Sequence, residues 1–72
     1  MQFVMKQSTG RRIAALRKER QWTQEQLADF VGVARITVSS WETDTRTPHR
    51  KVMNDLARLF GTTAAQLYGE AA

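Results

Sequence analysis

The chain offers few groups for covalent chemistry. Ser39 and Ser40 stand side by side, His49 is the only histidine, and there is no cysteine. A serine nucleophile needs a general base within hydrogen-bond reach, and the helical pattern described below places none near this pair. Glu25, Asp29 and Glu42 are scattered along the chain. There is no glycine-rich phosphate loop and no spacing of metal ligands. An enzyme is therefore not expected, and neither a cofactor nor a metal. His49 sits beside Arg50 and Lys51; a phosphate contact or plain exposure suits it better than catalysis.

Non-covalent recognition is better supplied. In a helix from about Ala34 to Glu42, at about 100° per residue, Ala34, Val38 and Trp41 fall within about 60° of one another. That side is expected to face the core. Ile36, Ser39, Ser40 and Thr43 fall opposite, with Arg35 at their edge. A merely solvated helix face is usually filled with Lys and Glu. This one is small, polar and nearly uncharged, so it can approach another surface closely. Arg35 could donate a bidentate pair to guanine, Ser40 could bond several bases, and Ile36 could meet a thymine methyl.

Such a face needs a scaffold, and the rest of the chain reads as one. Residues 1–7 show no clear period and read as a frayed end. From about Thr9 to Arg20 the pattern is helical, with Ile13, Leu16 and Arg20 on one face. Gln21 and Trp22 break it. Thr23 and Gln26 form a T-x-x-Q capping box that opens a second helix, with Leu27, Ala28 and Val31 apolar. Gly32 follows where a left-handed residue is expected. Two short helices around a tight turn are what a helix-turn-helix requires. Residues 43–47 read as a polar loop. Pro48 suits the first turn of a fourth helix, with Thr47 as its cap. Val52, Met53, Leu56, Leu59 and Phe60 make a wide apolar stripe along that helix. Gly61 ends it. Thr63 and Gln66 form a second T-x-x-Q box, opening a fifth helix that carries Leu67 and Tyr68. Trp22 and Trp41 read as core aromatics.

Bulk properties set the class. At 72 residues the chain is one small domain, and its core must be compact or completed by a partner. Eleven Lys and Arg against seven Asp and Glu give a net charge of +4, which favours a polyanionic partner. Arg11, Arg12, Lys18 and Arg58 read as solubilising charges. No apolar run approaches the ~20 residues that span a bilayer. The N-terminus has no apolar stretch like a signal peptide, so a cytoplasmic location and no membrane partner are expected.

The segment WTQEQLADFVGVARITVSSWE, residues 22–42, resembles the Cro/repressor-type (XRE-like) helix-turn-helix family. The likeness covers roughly residues 10–68. The T-Q-E-x-L-A stretch, Gly32-Val33, the run from Ile36 to Ser39, W-E-x-x-x-x-x-P and A-R-L-F-G-T-T-A-A-Q-L all match in register. The resemblance implies roles at matching positions. Arg35, Ile36 and Ser40 would face bases. Gln24 would contact a phosphate and buttress Arg35. Thr37 and Ser39 would flank the reading face and touch backbone. Thr43, Arg46 and Arg50 would contact phosphates. A salt bridge from Arg17 to Glu42 would tie the first helix to the end of the third. Ala34 departs from the family's Ser or Thr cap, and an uncapped start costs about 1 kcal/mol. Asp44 stands where glycine is usual, and Asp tolerates a left-handed backbone better than most residues. Ser40 replaces a commoner longer side chain.

The fold expected is all-α: about five short helices in a compact, lambda-repressor-like DNA-binding domain. It would be a single domain over residues 1–72, with the helix-turn-helix at about 23–42. The resemblance implies sequence-specific binding of double-stranded operator DNA, with a palindromic site, a homodimer and transcriptional repression of phage, prophage or operon-controller type. Leu67, Tyr68 and the C-terminal tail are the expected dimer surface, and the ending Gly69-Glu70-Ala71-Ala72 would also suit an excised N-terminal domain. The alternative is the antitoxin of a toxin–antitoxin pair, a protein-interaction module that also binds its operator.

Overall fold

The structure is a computed structural model, and it describes residues 8–69. The frayed end read at residues 1–7 and the tail at 70–72 lie outside the described residues. Five helices follow one another: α1 (Thr9–Glu19), α2 (Gln24–Val31), α3 (Arg35–Glu42), α4 (Arg50–Phe60) and α5 (Ala64–Leu67). The described residues contain no strand, so the architecture is the expected all-α one.

Each helix start has a local cause or lacks one visibly. Ser8 caps α1, its hydroxyl accepting from the Arg11 N–H. The Thr23 hydroxyl accepts from the Gln26 N–H at 3.0 Å, and the Gln26 side chain accepts from the Thr23 N–H at 2.9 Å, closing the expected box. The second box is only half made. Thr63 accepts from the Gln66 N–H, but the Gln66 side-chain oxygen accepts from the Thr62 hydroxyl instead. The start of α4 also departs from the sequence reading. Its cap is His49 rather than Thr47, it has no side-chain cap bond, and its first residue is Arg50. Pro48 is buried just before the helix. The first helical residue comes two positions after it.

Four helices end in one way. A residue in the left-handed region follows the last turn, and the next N–H reaches back to a carbonyl five residues earlier. Gly32 and Gly61 serve α2 and α4, while Gln21 and Asp44, both at φ 60°, serve α1 and α3. The long return bonds are Trp22 N–H to Arg17, Val33 to Ala28, Thr45 to Ser40 and Thr62 to Ala57, all at 2.8–3.2 Å.

These turns fold the apolar stripes inward onto one core. Ile13, Leu27, Val38, Met53 and Leu56 have no exposed surface, and Ala28, Trp41, Ala57, Phe60 and Leu67 complete the cluster. Ala28, small as expected, is buried on α2, which packs against α3. Leu16, Trp22, Val31, Val33, Val52 and Leu59 pack around the cluster, half-buried. Two sequence expectations fail here. Ala34 is exposed rather than on the core side, because it is the extended cap of α3 and not its first helical residue. Leu67 is buried among the core residues, so of the expected dimer pair only Tyr68 reaches solvent.

A second cluster closes the far end of α1. The Arg20 guanidinium donates to the carbonyls of Leu16 and Phe60 and lies over the rings of Trp22 and Phe60. A cation at the carbonyl end of α4 is well placed against the helix dipole. Trp22 stacks on Phe60 and meets Phe30 edge-on, with ring centroids 6.0 and 4.7 Å apart. Phe30 itself is half-exposed.

Candidate nucleic-acid interface

α3 is anchored along one side by Val38 and Trp41, both buried. That leaves the opposite side outward. Ile36 is 65% exposed, more than any other large apolar side chain among the described residues. Arg35 is exposed beside it, and Ile36, Thr37, Ser40 and Arg46 line one shallow depression. Arg50 and Thr43 are also exposed, whereas Ser39 is half-buried. The structure thus brings Ile36, Thr37 and Ser40 of α3 together with Arg46 of the loop that follows. Arg50 belongs to the first turn of α4, beyond the loop.

Two hydroxyls on this face are already engaged. Ser40 Oγ donates to the Ile36 carbonyl at 3.0 Å. Its proton is used within the helix, so the oxygen is left as an acceptor, a partner for the amino groups of adenine or cytosine. Thr43 Oγ1 lies 3.0 and 3.3 Å from the Ser39 and Ser40 carbonyls and 3.0 Å from Thr45 Oγ1. These three contacts hold the last turn of α3 and the loop together.

The frame that sets this face is an ion pair behind it. Arg17 of α1 meets Glu42 of α3 in a two-pronged contact, Nε to Oε2 at 2.6 Å and Nη2 to Oε1 at 3.0 Å. The Arg17 Nη1 donates to the Trp22 carbonyl at 2.7 Å. Only 11% and 7% of the two side chains is exposed. Burial pushes the Glu42 carboxyl up, but hydrogen bonds from Arg17 and Gln24 and the charges of Arg17 and Lys18 outweigh it, so the group sits below the ordinary glutamate value. The hydrogen bond to Glu42 raises Arg17 further above its ordinary value, so the pair is ionised at neutral pH. The Gln24 amide bridges outward from this pair. Nε2 donates to Glu42 Oε1 at 3.0 Å, and Oε1 accepts from Arg35 Nη1 at 3.5 Å.

A further tie went unread in the sequence. Asp44 carries the left-handed backbone that its position requires, and its carboxylate accepts from the Gly10 N–H at 2.9 Å. Gly10 has no room for a side chain: a Cβ there would lie 2.2 Å from the Trp41 carbonyl oxygen. The start of α1 therefore rests directly on the end of α3. The signal was present as an Asp in a glycine position, but its partner lies 34 residues away.

Among the described residues no group of His, Asp or Glu is arranged to hold a metal ion. No helix among them is long and apolar enough to cross a membrane.

Comparison with known proteins fits this geometry. The sequence model of the Helix-turn-helix family matches residues 13–67. The chain is similar to the HTH-type transcriptional regulator AnsR of Bacillus subtilis, 36% identical over 58 residues, which cover 81% of this chain and 50% of that protein. It is 32% identical over 59 residues to the competence pilus inhibition repressor of Acinetobacter baylyi, covering 82% and 54% of the two chains. The chain thus spans about half the length of these relatives. Among solved structures it is similar to the P22 c2 repressor in complex with a synthetic operator, with a TM-score of 0.85, 28% identity and coverage of 90% and 98%. The solution structure of the DNA-binding domain of the P22 c2 repressor gives a TM-score of 0.82 at 27% identity, covering 93% and 88%.

Proposed function

The chain belongs to the Helix-turn-helix family, and on that premise we propose that it is a transcriptional repressor that binds double-stranded operator DNA sequence-specifically through α3. One observation carries the reading most: the outward face of α3 presents Ile36 and Arg35 to solvent while its other side is locked into the core. An exposed isoleucine next to an arginine suits a groove in which a thymine methyl adjoins a guanine edge. The similarity to a repressor bound to its operator supports the same partner.

In this reading Arg35, Ile36 and Ser40 face bases. Gln24, Thr37, Ser39, Thr43, Arg46 and Arg50 contact phosphates, which position the domain without selecting sequence. The protein acts as a homodimer on a palindrome, with half-sites about 34–36 Å apart. Tyr68, exposed with an apolar body and a polar tip, belongs to the pairing surface.

Selection from a random pool of DNA duplexes tests this, with the winner then measured at two salt concentrations. A palindrome with half-sites one helical turn apart is expected. Recovery of no motif, with only steeply salt-dependent binding, would reduce the activity to counterion-driven affinity. Arg35→Ala should weaken binding to the selected duplex by about 1–3 kcal/mol and relax preference at one position per half-site. An equal loss on every sequence would make Arg35 a phosphate contact.

A further inference from the structure

The ion pair and the reading face are joined by a single side chain. Gln24 stands between Glu42, at the end of α3, and Arg35, at its start. We propose that Glu42 is a positioning residue for base selection, holding the Gln24 amide so that its oxygen faces the Arg35 guanidinium. The proposal rests on the DNA-binding reading above and adds a residue that touches no DNA.

The argument is one of donors and acceptors. A glutamine amide has one acceptor end and one donor end. A carboxylate only accepts, so Glu42 fixes the donor end toward itself. Turning the amide over would set its oxygen against Glu42 Oε1 and its NH2 against a guanidinium that only donates. Glu42 cannot swing away to relieve this, because Arg17 grips both of its oxygens. Arg17 is in turn held by the Trp22 carbonyl. The order therefore runs from α1 through Arg17, Glu42 and Gln24 to Arg35. Arg35 has a long flexible stem, and its fork reads guanine only in the right plane. An acceptor that orders the fork before DNA arrives removes part of the ordering cost of binding. It also narrows the base geometries that the fork accepts.

The main variant is Arg17→Met/Glu42→Leu. It exchanges the ion pair for apolar side chains, a change that is often neutral or stabilising, while Gln24 loses its acceptor. Two readouts follow. In the free protein, nitrogen-15 spectra should show the Gln24 side-chain amide protons well dispersed in the native chain and collapsed to free-glutamine values in the variant. On DNA, preference for the selected base pair at the Arg35 position should fall about fivefold, the factor that one hydrogen bond of ordinary net strength supplies. Preference at the Ile36 position should not move. Should the double variant fail to fold, Glu42→Gln is read in its place and should act in the same direction.

A folded variant that keeps its full preference at the Arg35 position overturns the proposal, since a merely structural ion pair would give that result. So does an equal loss at the Arg35 and Ile36 positions, which would reflect a loosened helix. A Gln24 amide already at free values in the native chain overturns it without reference to DNA. If the native chain selects no sequence at all, the DNA reading falls and base selection by Glu42 falls with it; the amide spectrum then still tells whether the network forms.

Discussion

The last turn of α3 is tied down four times over, while its first turn has no side-chain cap. At the far end Glu42 pairs with Arg17, Thr43 bonds back to the carbonyls of Ser39 and Ser40, Asp44 turns the chain left-handed, and its carboxylate reaches Gly10. At the near end Ala34 takes the cap position with no side-chain bond. The difference is informative because the two ends have different neighbours. The end must be placed against α1, or the whole face would turn. The start faces outward, and a cap side chain there would fill space beside Arg35. Ties across to α1 are concentrated where they set the direction of the helix, and the first turn is left without a cap.

The contrast can be broken from either end. The largest effect is expected for Glu42→Ala, which leaves Arg17 nearly buried without its partner; urea unfolding should show a loss of about 3 kcal/mol. A loss below about 1 kcal/mol would mean that the pair behaves like a surface ion pair. Gly10→Ala should come next. A Cβ facing the Trp41 carbonyl oxygen at 2.2 Å forces α1 and α3 apart, and overpacking of this kind costs about 1–3 kcal/mol. A thermal midpoint equal to that of the native chain would show that the two helices can part freely.

Acid sharpens the same end. Glu42 lies below its ordinary value in the folded chain, so its contribution is complete above the unfolded glutamate value near 4.5 and fades as pH falls through the lower folded value. Stability measured between pH 6 and about pH 3 should drop, and part of the drop should vanish in the Arg17→Met/Glu42→Leu variant. Equal slopes in the two proteins would exclude Glu42 as a source. The smallest effect belongs to the near end. Ala34→Ser supplies the missing cap and should add about 1 kcal/mol. No gain in the free protein would mean that the first turn is already satisfied by another route.

How much of this was legible depended on distance along the chain. The Thr23–Gln26 box and the glycine turns at 32 and 61 involve partners three to five residues apart, and local chemistry decides them. The apolar stripe of α4 was likewise readable, because a period of 3.6 is a property of the helix alone. The pairing of Arg17 with Glu42 spans 25 residues. No pattern in either segment demands the other, and it entered only through family resemblance. The bond from Gly10 to Asp44 spans 34 residues and was not foreseen. Burial misled in the same way. Pro48 signals a helix start by its fixed φ, yet it is buried ahead of the helix, which opens at Arg50. Leu67 beside Tyr68 looks like an exposed pair until α5 is folded back and the leucine turns in. The outward face of α3 was legible in outline, since Val38 and Trp41 are core residues and fix which side remains. The engagement of Ser40 within its own helix was not, because a hydroxyl chooses its partner by local geometry.

The four left-handed turns leave one further consequence, for how far this sequence can be altered. Gln21 and Asp44 share a backbone conformation that side chains disfavour, with φ 60° in both. At Asp44 the side chain is in use against Gly10, so glycine there would ease the backbone and release the start of α1. Gln21 is exposed, and its N–H makes a turn bond to the Lys18 carbonyl that any residue but proline can make. Two positions that look identical in their dihedral angles therefore differ in evolvability: at 44 the chain is confined to residues that can both turn and reach, while 21 is open to any residue that can turn.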